Sequence, residues 1–475
     1  MLALEQADGA AGGNWSLSDV TITDPAVIRR AVGAAAIGNV TEWFDFGVFG
    51  YLETTIRQVF FSGLPAEQGS IAVLLLAALA FLVRPLGGLF FGPLGDRIGR
   101  TKVLSLTVIL MAVGTFVMAL IPSYAAIGVA APLLVLVARL VQAFSTGGEY
   151  GGAMSFIAEY APDKRRGFLG AFLEFGTVTG YALGAGIALL VQALLPHEAL
   201  LSWGWRIPFL ISGPIGMVGL YLRLKLEETP AFAALAAESE GREGHQTLRE
   251  IRTLVTEHWR PMLVCCGLVL GFNVTNYMLT FYMPTYLTTE LPRPGLISET
   301  TSQFLQLVVL VFMLVFLPLL GRLSDRIGRK PVVFTGCAAM IALGVPAVLL
   351  MRQDSVVGVL GGLLLMGVML LGWNSTMPST LPALFPTEVR YGGLAIAFNI
   401  SVSLFGGTTS VIVAGLVSAT GDPYWPGYYL MIAGVIGAAA CWCMRESAGR
   451  VLPGSPPAAS STAEARERLG MRAEG

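Results

Sequence analysis

Long apolar runs alternate with short polar turns along most of the 475-residue chain. About 20 consecutive apolar residues are enough for a helix to cross a bilayer, and each run is close to or above that length. Since a membrane-spanning segment must satisfy its own backbone hydrogen bonds, the pattern predicts an all-α membrane protein of about twelve transmembrane helices. The runs lie near residues 31–52, 70–92, 103–121, 127–157, 167–194, 206–222, 260–287, 303–320, 331–351, 355–384, 392–418 and 427–444.

Polar segments divide the runs into two groups of six. The first 28 residues have no basic cluster followed by an apolar core, so no cleavable signal peptide is expected. A long polar connection follows the sixth run, and Leu248, Ile251 and Leu254 within it have the spacing of a surface helix. The predicted boundaries are a cytoplasmic N-terminal segment at 1–28, a six-helix bundle at 29–226, a cytoplasmic linker at 227–258, a second six-helix bundle at 259–445 and a disordered cytoplasmic tail at 446–475.

A charged turn occurs twice, at corresponding places in the two groups. Residues 92–102 read G-P-L-G-D-R-I-G-R-T-K after the second run, and residues 321–330 read G-R-L-S-D-R-I-G-R-K after the eighth. The copies lie about half a chain length apart, which is far longer than a solenoid repeat. Repetition at that distance predicts two pseudo-symmetric six-helix bundles.

Composition agrees with a membrane protein. Charged residues make up 13% of the chain, against about 25% in soluble domains, and 54% of the residues are hydrophobic. The 57 glycines suit the close helix packing found in membranes. A net charge of −1, with basic residues only in short turns, argues against a nucleic-acid partner. The five cysteines are interpreted as packing residues rather than metal ligands or disulfides.

Lysine and arginine are concentrated in the turns on one side of the predicted bundles. Residues 97–102, 164–166 and 322–330 hold many of them, whereas the opposite turns hold scattered ones such as Arg57 and Arg352. The positive-inside rule places the basic turns in the cytoplasm, and both termini with them. The chain is therefore expected to be a multi-pass protein of the cell membrane.

Six charged residues fall inside the apolar runs, all of them in the first half. Each costs about 3 kcal/mol at mid-bilayer, so they are expected to line a wet cavity or to pair with one another. The three histidines lie in connections, which leaves carboxylates as the groups able to carry a proton. Permanent ion pairs are the alternative, but two arginines cannot neutralise four acids. The cations are Arg84 and Arg139, and the predicted proton-coupling residues are Glu42, Asp45, Glu149 and Glu174.

The repeated turn, Gly-x-x-x-Asp-Arg-x-Gly-Arg in its first copy, resembles the signature of the major facilitator superfamily of transporters. Further motifs resemble its metabolite:proton symporter branch: G-N at 38–39 with E-W-F-D-F at 42–46, R-P-L-G-G at 84–88, G-G-E-Y at 147–150 and W-G-W-R-I-P-F at 203–209. Within that branch, three segments are most similar to proline/glycine betaine transporters, at 226–232, 273–287 and 379–401. The resemblance implies two six-helix bundles that alternate access to a central site. Some osmosensing members end in a long heptad-bearing tail, which this tail does not resemble.

In this superfamily, spans 1, 4, 7 and 10 line the substrate cavity. Asn273 and Tyr277 share a face of span 7, and Asn39 and Trp43 share a face of span 1. Aromatic rings can hold an ammonium group and an arginine can hold a carboxylate, which suits a zwitterion. The alternative is that an aromatic residue only packs between helices or lies near an interface. The predicted substrate-binding residues are Asn39, Trp43, Arg84, Arg139, Asn273, Tyr277, Trp373 and Asn374.

The resemblance also implies that the charged turns lock the cytoplasmic side while the cavity faces outward. Asp96 and the glycines support this interpretation, because basic residues alone would suffice to set topology. The alternative is that the basic residues of these turns only set the topology of the chain in the membrane. The predicted cytoplasmic gate consists of Gly92, Asp96, Arg97, Arg100, Glu159, Arg165, Arg166, Asp325, Arg326, Arg329, Glu388 and Arg390.

The sequence as a whole predicts a transporter and not an enzyme, because it has no phosphate-binding loop and no metal or nucleophile constellation. The expected function is proton symport of a small zwitterion such as proline or glycine betaine, with the proton as coupling ion, no cofactor and no metal. The expected partners are this solute, protons and the lipid bilayer, with the chain as a monomer. Symport of an organic acid is the main alternative; a drug antiporter or a transport-inactive sensor is a further one.

Overall fold

Long helices account for most of the computed structural model, which describes residues 15–225, 256–291 and 295–469. We number these long helices in chain order; α7 and α11 each continue through a π-helical turn, Met278–Tyr282 and Val402–Gly406, into the further helices Met283–Thr289 and Thr409–Thr420. The helices are α1 (Pro25–Tyr51), α2 (Ala66–Ile98), α3 (Arg100–Leu120), α4 (Ala130–Tyr160), α5 (Arg166–Leu194), α6 (Arg206–Leu224), α7 (Trp259–Tyr277), α8 (Glu299–Ile327), α9 (Arg329–Met351), α10 (Val356–Asn374), α11 (Arg390–Ser401) and α12 (Trp425–Cys443).

Each of the twelve predicted spans coincides with one of these long helices. Within the described ranges, nine helices are long and apolar enough to cross a membrane, and a tenth span results if the bent pair His197–Gly204 and Arg206–Leu222 is counted as one. The first helix carries four charged residues, which lower its apolar character: Arg29, Arg30, Glu42 and Asp45. The prediction of an all-α membrane protein is confirmed.

The two copies of the charged turn have the same backbone. In the first, α2 ends at Ile98, Gly99 has φ 107°, and α3 begins at Arg100. In the second, α8 ends at Ile327, Gly328 has φ 102°, and α9 begins at Arg329. Residues with a Cβ rarely adopt a positive φ. Glycine at this position therefore lets one helix end and the next begin within a single residue.

The two halves meet mainly along two helix pairs, α5 with α8 and α2 with α11, and α4 also contacts α11. Glycines allow the backbones to approach: a Cβ at Gly88 of α2 would lie 2.6 Å from the carbonyl oxygen of Ala395 on α11. Within the first half, α5 packs on α1 in the same way, since a Cβ at Gly180 would lie 2.4 Å from the oxygen of Val40. Small residues at such contacts are what helix packing in lipid requires.

Residues 446–469 are folded against the side of the bundles that carries the charged turns, here called the gate side, and this differs from the predicted disordered tail. Strand β1 (Thr21–Ile22) pairs in parallel with β2 (Ala458–Ala459), and a short helix follows at Thr462–Arg468. The tail has too few apolar residues to form a core of its own, so composition predicts disorder. Its order comes from polar groups of the bundle distant in sequence. The predicted linker at 227–258 lies almost entirely outside the described residues.

Candidate functional site

One face of α1 carries polar and aromatic side chains into the interior of the first half. Asn39, Glu42, Trp43 and Phe46 are spaced three or four residues apart, so they share that face, and all four are buried. The Asn39 amide donates to the carbonyl oxygen of Leu173 on α5 at 3.0 Å. Helix α1 thus presents a continuous polar and aromatic surface to its neighbours.

Two arginines from other helices each pair with a carboxylate of α1. Arg84 Nη2 of α2 lies 3.3 Å from Glu42 Oε1, and the two side chains are 2% and 0% exposed. Arg139 of α4 forms an ion pair with Asp45. Gln142 donates to Asp45 Oδ1 at 3.1 Å and to the Thr115 hydroxyl at 2.7 Å. Asp45 is therefore held by a buried network that joins α1, α3 and α4.

The other two predicted carboxylates are equally buried. Glu149 of α4 is 0% exposed and Glu174 of α5 is 1% exposed. Within the described ranges, Glu174 forms no ion pair, and neither of its carboxylate oxygens accepts a hydrogen bond of ordinary geometry. Glu174 lies close enough to Glu42 for the two carboxylates to interact electrostatically, and Thr177 is beside it. Glu174 thus differs from Glu42 and Asp45, which face arginines.

Aromatic rings from both halves surround the Glu42–Arg84 pair. The Phe81 and Tyr277 ring centroids lie 5.1 Å apart, and those of Tyr277 and Phe281 lie 5.2 Å apart. The Arg84 guanidinium carbon lies 5.8 Å from the Phe46 centroid and 6.0 Å from that of Phe81. Six rings form a connected group, here called the aromatic cluster: Trp43, Phe46, Phe81, Tyr181, Tyr277 and Phe281. The Tyr51 ring lies at its edge, 6.0 Å from that of Tyr181.

Four members of the aromatic cluster were missing from the predicted substrate site: Phe46, Phe81, Tyr181 and Phe281. Phe281 lies one helical turn after Tyr277, so the spacing already contained a signal for it. Phe81 and Tyr181 lie on spans 2 and 5, outside the four spans that the resemblance assigned to the cavity.

The predicted residues of the second half separate into two places. Tyr277 belongs to the aromatic cluster, and buried Asn273 lies one turn before it on α7, where its amide donates to the oxygen of Val269 at 2.9 Å. Trp373 instead fills the interior of the second half, with its indole N–H on Met340 Sδ at 3.2 Å and its ring against Gly271 and Gly437. Trp373 therefore packs between helices, which was the alternative to its predicted role in substrate binding. Buried Asn374 follows it at the end of α10.

On the gate side, several predicted residues connect the two halves. Glu159 at the end of α4 forms a buried ion pair with Arg390 at the start of α11, at 2.6 Å. Asp325 of α8 accepts hydrogen bonds from the backbone N–H groups of Gly167 and Phe168 at 2.7 and 2.8 Å, at the N-terminus of α5. A carboxylate at that position is stabilised by the helix dipole. These contacts close the gate side.

The remaining gate residues fall into three groups. Arg329 pairs with Asp325 at 3.2 Å, and Gly92 lets α2 approach α11, since a Cβ there would lie 3.1 Å from Gly392. Arg166 pairs with Asp163 of the same turn. Arg165, Arg326 and Glu388 are exposed, outside this buried network. The side chains of Asp96, Arg97 and Arg100 lie outside the described part of the structure.

The C-terminal tail completes this network. Buried Asp163 accepts hydrogen bonds from Arg468 and, at 3.2 Å, from the backbone N–H of Ala458. Arg390 Nη2 donates to the oxygen of Pro453 at 2.6 Å, and Arg166 Nη1 to that of Arg450 at 3.0 Å. The tail therefore touches the gate residues of both halves. In the described parts of the chain, no group of histidine, cysteine and acidic residues has the arrangement of a metal site.

Comparison with known proteins gives close relatives over nearly the whole chain. It is 47% identical to the glycine betaine/proline/ectoine/pipecolic acid transporter OusA of Dickeya dadantii, over 96% of this chain and 90% of that protein. It is also 47% identical to a proline/betaine transporter of Salmonella typhimurium, over 96% and 91%. The ectoine/proline transporter ProP of Corynebacterium glutamicum is 41% identical, over 95% and 91%.

Solved structures and a family match agree on the fold. The major facilitator superfamily proton:xylose symporter XylE, bound to 6-bromo-6-deoxy-D-glucose, superposes with a TM-score of 0.74 at 20% identity, over 90% of this chain and 98% of that one. Residues 31–456 match the family described as sugar (and other) transporter. With that match and relatives at 47% identity, the chain is a membrane transporter rather than an enzyme, and it belongs to the sugar (and other) transporter family of the major facilitator superfamily.

Proposed function

We propose that this protein is a proton-coupled symporter that imports a small zwitterionic compatible solute, such as proline or a betaine, by alternating access of its two halves. The observation that carries the proposal is the buried Glu42–Arg84 ion pair inside the aromatic cluster, where the two halves meet. The relatives support the choice of solute, since those of D. dadantii and S. typhimurium are named for proline and betaine transport.

The chemistry of the pair fits both ends of a zwitterion. Arg84 can take a carboxylate through its guanidinium fork, and Glu42 can face the positive nitrogen. Rings within about 6 Å of a cation attract it through their negative faces, by up to about 2 kcal/mol when water is excluded. A quaternary ammonium has no N–H to donate, so aromatic rings suit it better than hydrogen-bond acceptors do. A dianion would instead need further cations, and Arg139 already pairs with Asp45.

Contacts on both sides of the aromatic cluster supply the two gates. Towards the gate side, Asn399 donates to the oxygen of Gly147 at 2.6 Å. Towards the opposite side, the Tyr51 hydroxyl donates to the oxygen of Gln303 at 3.4 Å. When the protein opens towards one side, the contacts on that side break and those on the other side remain. Because of the basic turns, we assign the gate side and both termini to the cytoplasm. We further propose that the protein works as a monomer in the lipid bilayer. Its transport cycle uses the proton as coupling ion and needs no cofactor.

Solute uptake into proteoliposomes tests this function. Purified protein is reconstituted, and uptake of labelled proline, glycine betaine, ectoine and a dicarboxylate is measured with and without an inward proton gradient. We expect concentrative uptake of the zwitterions only, and only with the gradient. Concentrative uptake of the dicarboxylate in their place would establish organic-acid symport. Zwitterion uptake that ignores the proton gradient would refute proton coupling, and no flux of any solute would favour a sensor.

A further inference from the structure

The four acids predicted to couple protons, Glu42, Asp45, Glu149 and Glu174, are all buried but have unequal surroundings. Glu42 faces Arg84, and Asp45 faces Arg139 with Gln142 at its second oxygen. Glu174 is as deeply buried, at 1% exposure, but it forms no ion pair among the described residues, and the Thr177 hydroxyl is the polar group beside it. A carboxylate without a cation is costly to ionise where water is excluded. Its surroundings therefore separate Glu174 from the paired acids.

The helices packed on α5 provide no compensating charge at the level of Glu174. Helix α1 contributes Glu42, whose negative charge opposes a second one nearby. Its Arg29 and Arg30 are exposed near its start, and its Asp45 is in the ion pair with Arg139. Helix α4 contributes Glu149 and Arg139, and Arg139 is in the ion pair with Asp45. The charged residues of α8 lie at its two ends, with Glu299 at the start and Arg322, Asp325 and Arg326 near the gate side. Those of α6 lie at its ends as well.

Glu174 is also next to the solute-binding face of α1. Leu173, the preceding residue, accepts a hydrogen bond from Asn39, and Thr177, one turn later, receives another from the same amide. Asn39 lies one turn before Glu42 on α1. A change of charge at Glu174 therefore alters the electrostatic environment of the Glu42–Arg84 pair.

We propose that Glu174 carries the coupled proton, which assigns different roles to the buried acids. The proposal rests on the proposed function. The Glu42–Arg84 pair receives the zwitterion, and Asp45 with its network keeps α1, α3 and α4 together. Facing outward, the Glu174 carboxylate takes one proton from water and becomes neutral. Facing inward, it returns that proton to water, and its negative charge beside Glu42 weakens the binding of the solute carboxylate at Arg84. One proton crosses with each solute.

The variant Glu174→Gln tests this role, because glutamine reproduces the shape of the neutral acid and cannot release a proton. We expect the variant to lose concentrative uptake, so that internal solute reaches only the external level, and to lose solute-dependent proton entry. Exchange of external for preloaded internal proline should persist, because exchange needs no net proton movement. Solute affinity, which should weaken with rising pH in the wild type, should lose that pH dependence in the variant.

Three comparisons make the result decisive. Folding is checked by thermal unfolding, and Glu174→Asp, which keeps a carboxyl group, should retain coupled uptake. If Glu174→Gln does not fold, loss of coupling in a folded Glu174→Asp would overturn the role. A folded Glu174→Gln that still accumulates proline with proton entry would also overturn it. A variant that loses exchange together with accumulation would instead place Glu174 in the solute site. Failure of the wild type to exchange any zwitterion would refute the proposed function itself.

Discussion

At the residue scale, the proposed betaine site depends on the rings of the aromatic cluster, because a general polar cavity would not need them. Phe281 lies 5.2 Å from Tyr277 and 6.2 Å from Tyr181, between centroids. Phe281→Leu removes a π face but keeps an apolar side chain. We expect glycine betaine affinity to fall about tenfold, since the loss of one desolvated cation–π contact is worth about 1.4 kcal/mol. Inhibition of labelled proline uptake by glycine betaine measures this affinity.

Phe312→Leu is the matched control for Phe281→Leu. Phe312 is a partly buried phenylalanine of α8 whose ring lies 4.8 Å from that of Phe316, outside the aromatic cluster. We expect this variant to bind glycine betaine as the wild type does. Equal losses in the two variants would mean that the phenylalanines act through packing, contrary to the prediction.

Asp45 illustrates a buried charge that stabilises by being matched. Asp45→Asn leaves the Arg139 guanidinium, 5% exposed, without its counter-charge. Breaking a buried pair from one side costs about 3 to 5 kcal/mol, whereas removing both charges together costs much less. We expect a clear fall in the unfolding temperature for Asp45→Asn and partial recovery in the double variant Asp45→Asn with Arg139→Gln. Thermal unfolding in detergent measures both.

The exposed pair of Lys164 and Glu467 is the control for Asp45. Its side chains are 47% and 72% exposed, so Glu467→Gln should change stability by at most about 1 kcal/mol. If Asp45→Asn were no more destabilising than Glu467→Gln, the buried network would not have the stabilising role assigned to it.

The sequence identified the charged residues of the site better than their partners. Charges inside apolar runs are visible in a linear sequence, so Glu42, Arg84 and Glu174 were found from it. Which arginine meets which acid depends on how α1, α2 and α4 cross, and no spacing encodes that. The same limit explains Trp373, whose place among the glycines of three other helices could not be read from α10 alone.

At the scale of elements, the start of α9 is stabilised by a residue that follows α12. The half-buried Glu446 carboxylate accepts hydrogen bonds from the backbone N–H groups of Arg329, Lys330, Ser447 and Ala448, at 2.8 to 3.0 Å. Burial alone would raise the pKa of Glu446, but the four donors together outweigh it and hold the pKa below its usual value of 4.5. The end of the second bundle thereby caps its charged turn.

The pH dependence of this cap follows from the lowered pKa. Its stabilisation is complete above pH 4.5 and is lost as the pH falls through the lower pKa of the folded protein. We expect Glu446→Gln to lower the free energy of unfolding at pH 7 by about 0.5 to 2 kcal/mol, as for other helix caps. The difference from the wild type should shrink in acid. A difference that stays constant down to acid pH would contradict the capping role.

Most elements were predictable because apolar runs of bilayer length leave few alternatives to helix. The repeated glycine turn likewise predicted that Gly99 and Gly328 would occupy equivalent positions, and both have a positive φ. The π-helical turns in the seventh and eleventh spans and the strand pair β1–β2 were not predicted. Each strand has two residues, and its partner is more than 400 positions away, so neither alternation nor a hairpin signal could indicate it.

At the scale of the whole molecule, the tail joins parts that alternating access must separate. Strand β1 leads into α1 of the first half, whereas β2 follows α12 of the second. Through Asp163 and Arg390 the same tail contacts the gate side of both halves. In the proposed cycle, opening of the gate side moves the first helix of one half away from the last helix of the other. We therefore expect the β1–β2 pair to part whenever the gate side opens.

A covalent link between the two strands tests this expectation. In a chain whose five cysteines have been replaced, Thr21→Cys and Ala458→Cys place two thiols at directly paired positions. Oxidation should stop solute uptake, and a reducing agent should restore it. The control is Thr387→Cys with Ser455→Cys, whose native hydroxyl oxygens lie 2.8 Å apart and which ties the tail to the second half only. That link should leave uptake active. Undiminished uptake after complete Thr21–Ala458 cross-linking would show that the tail does not follow the gate.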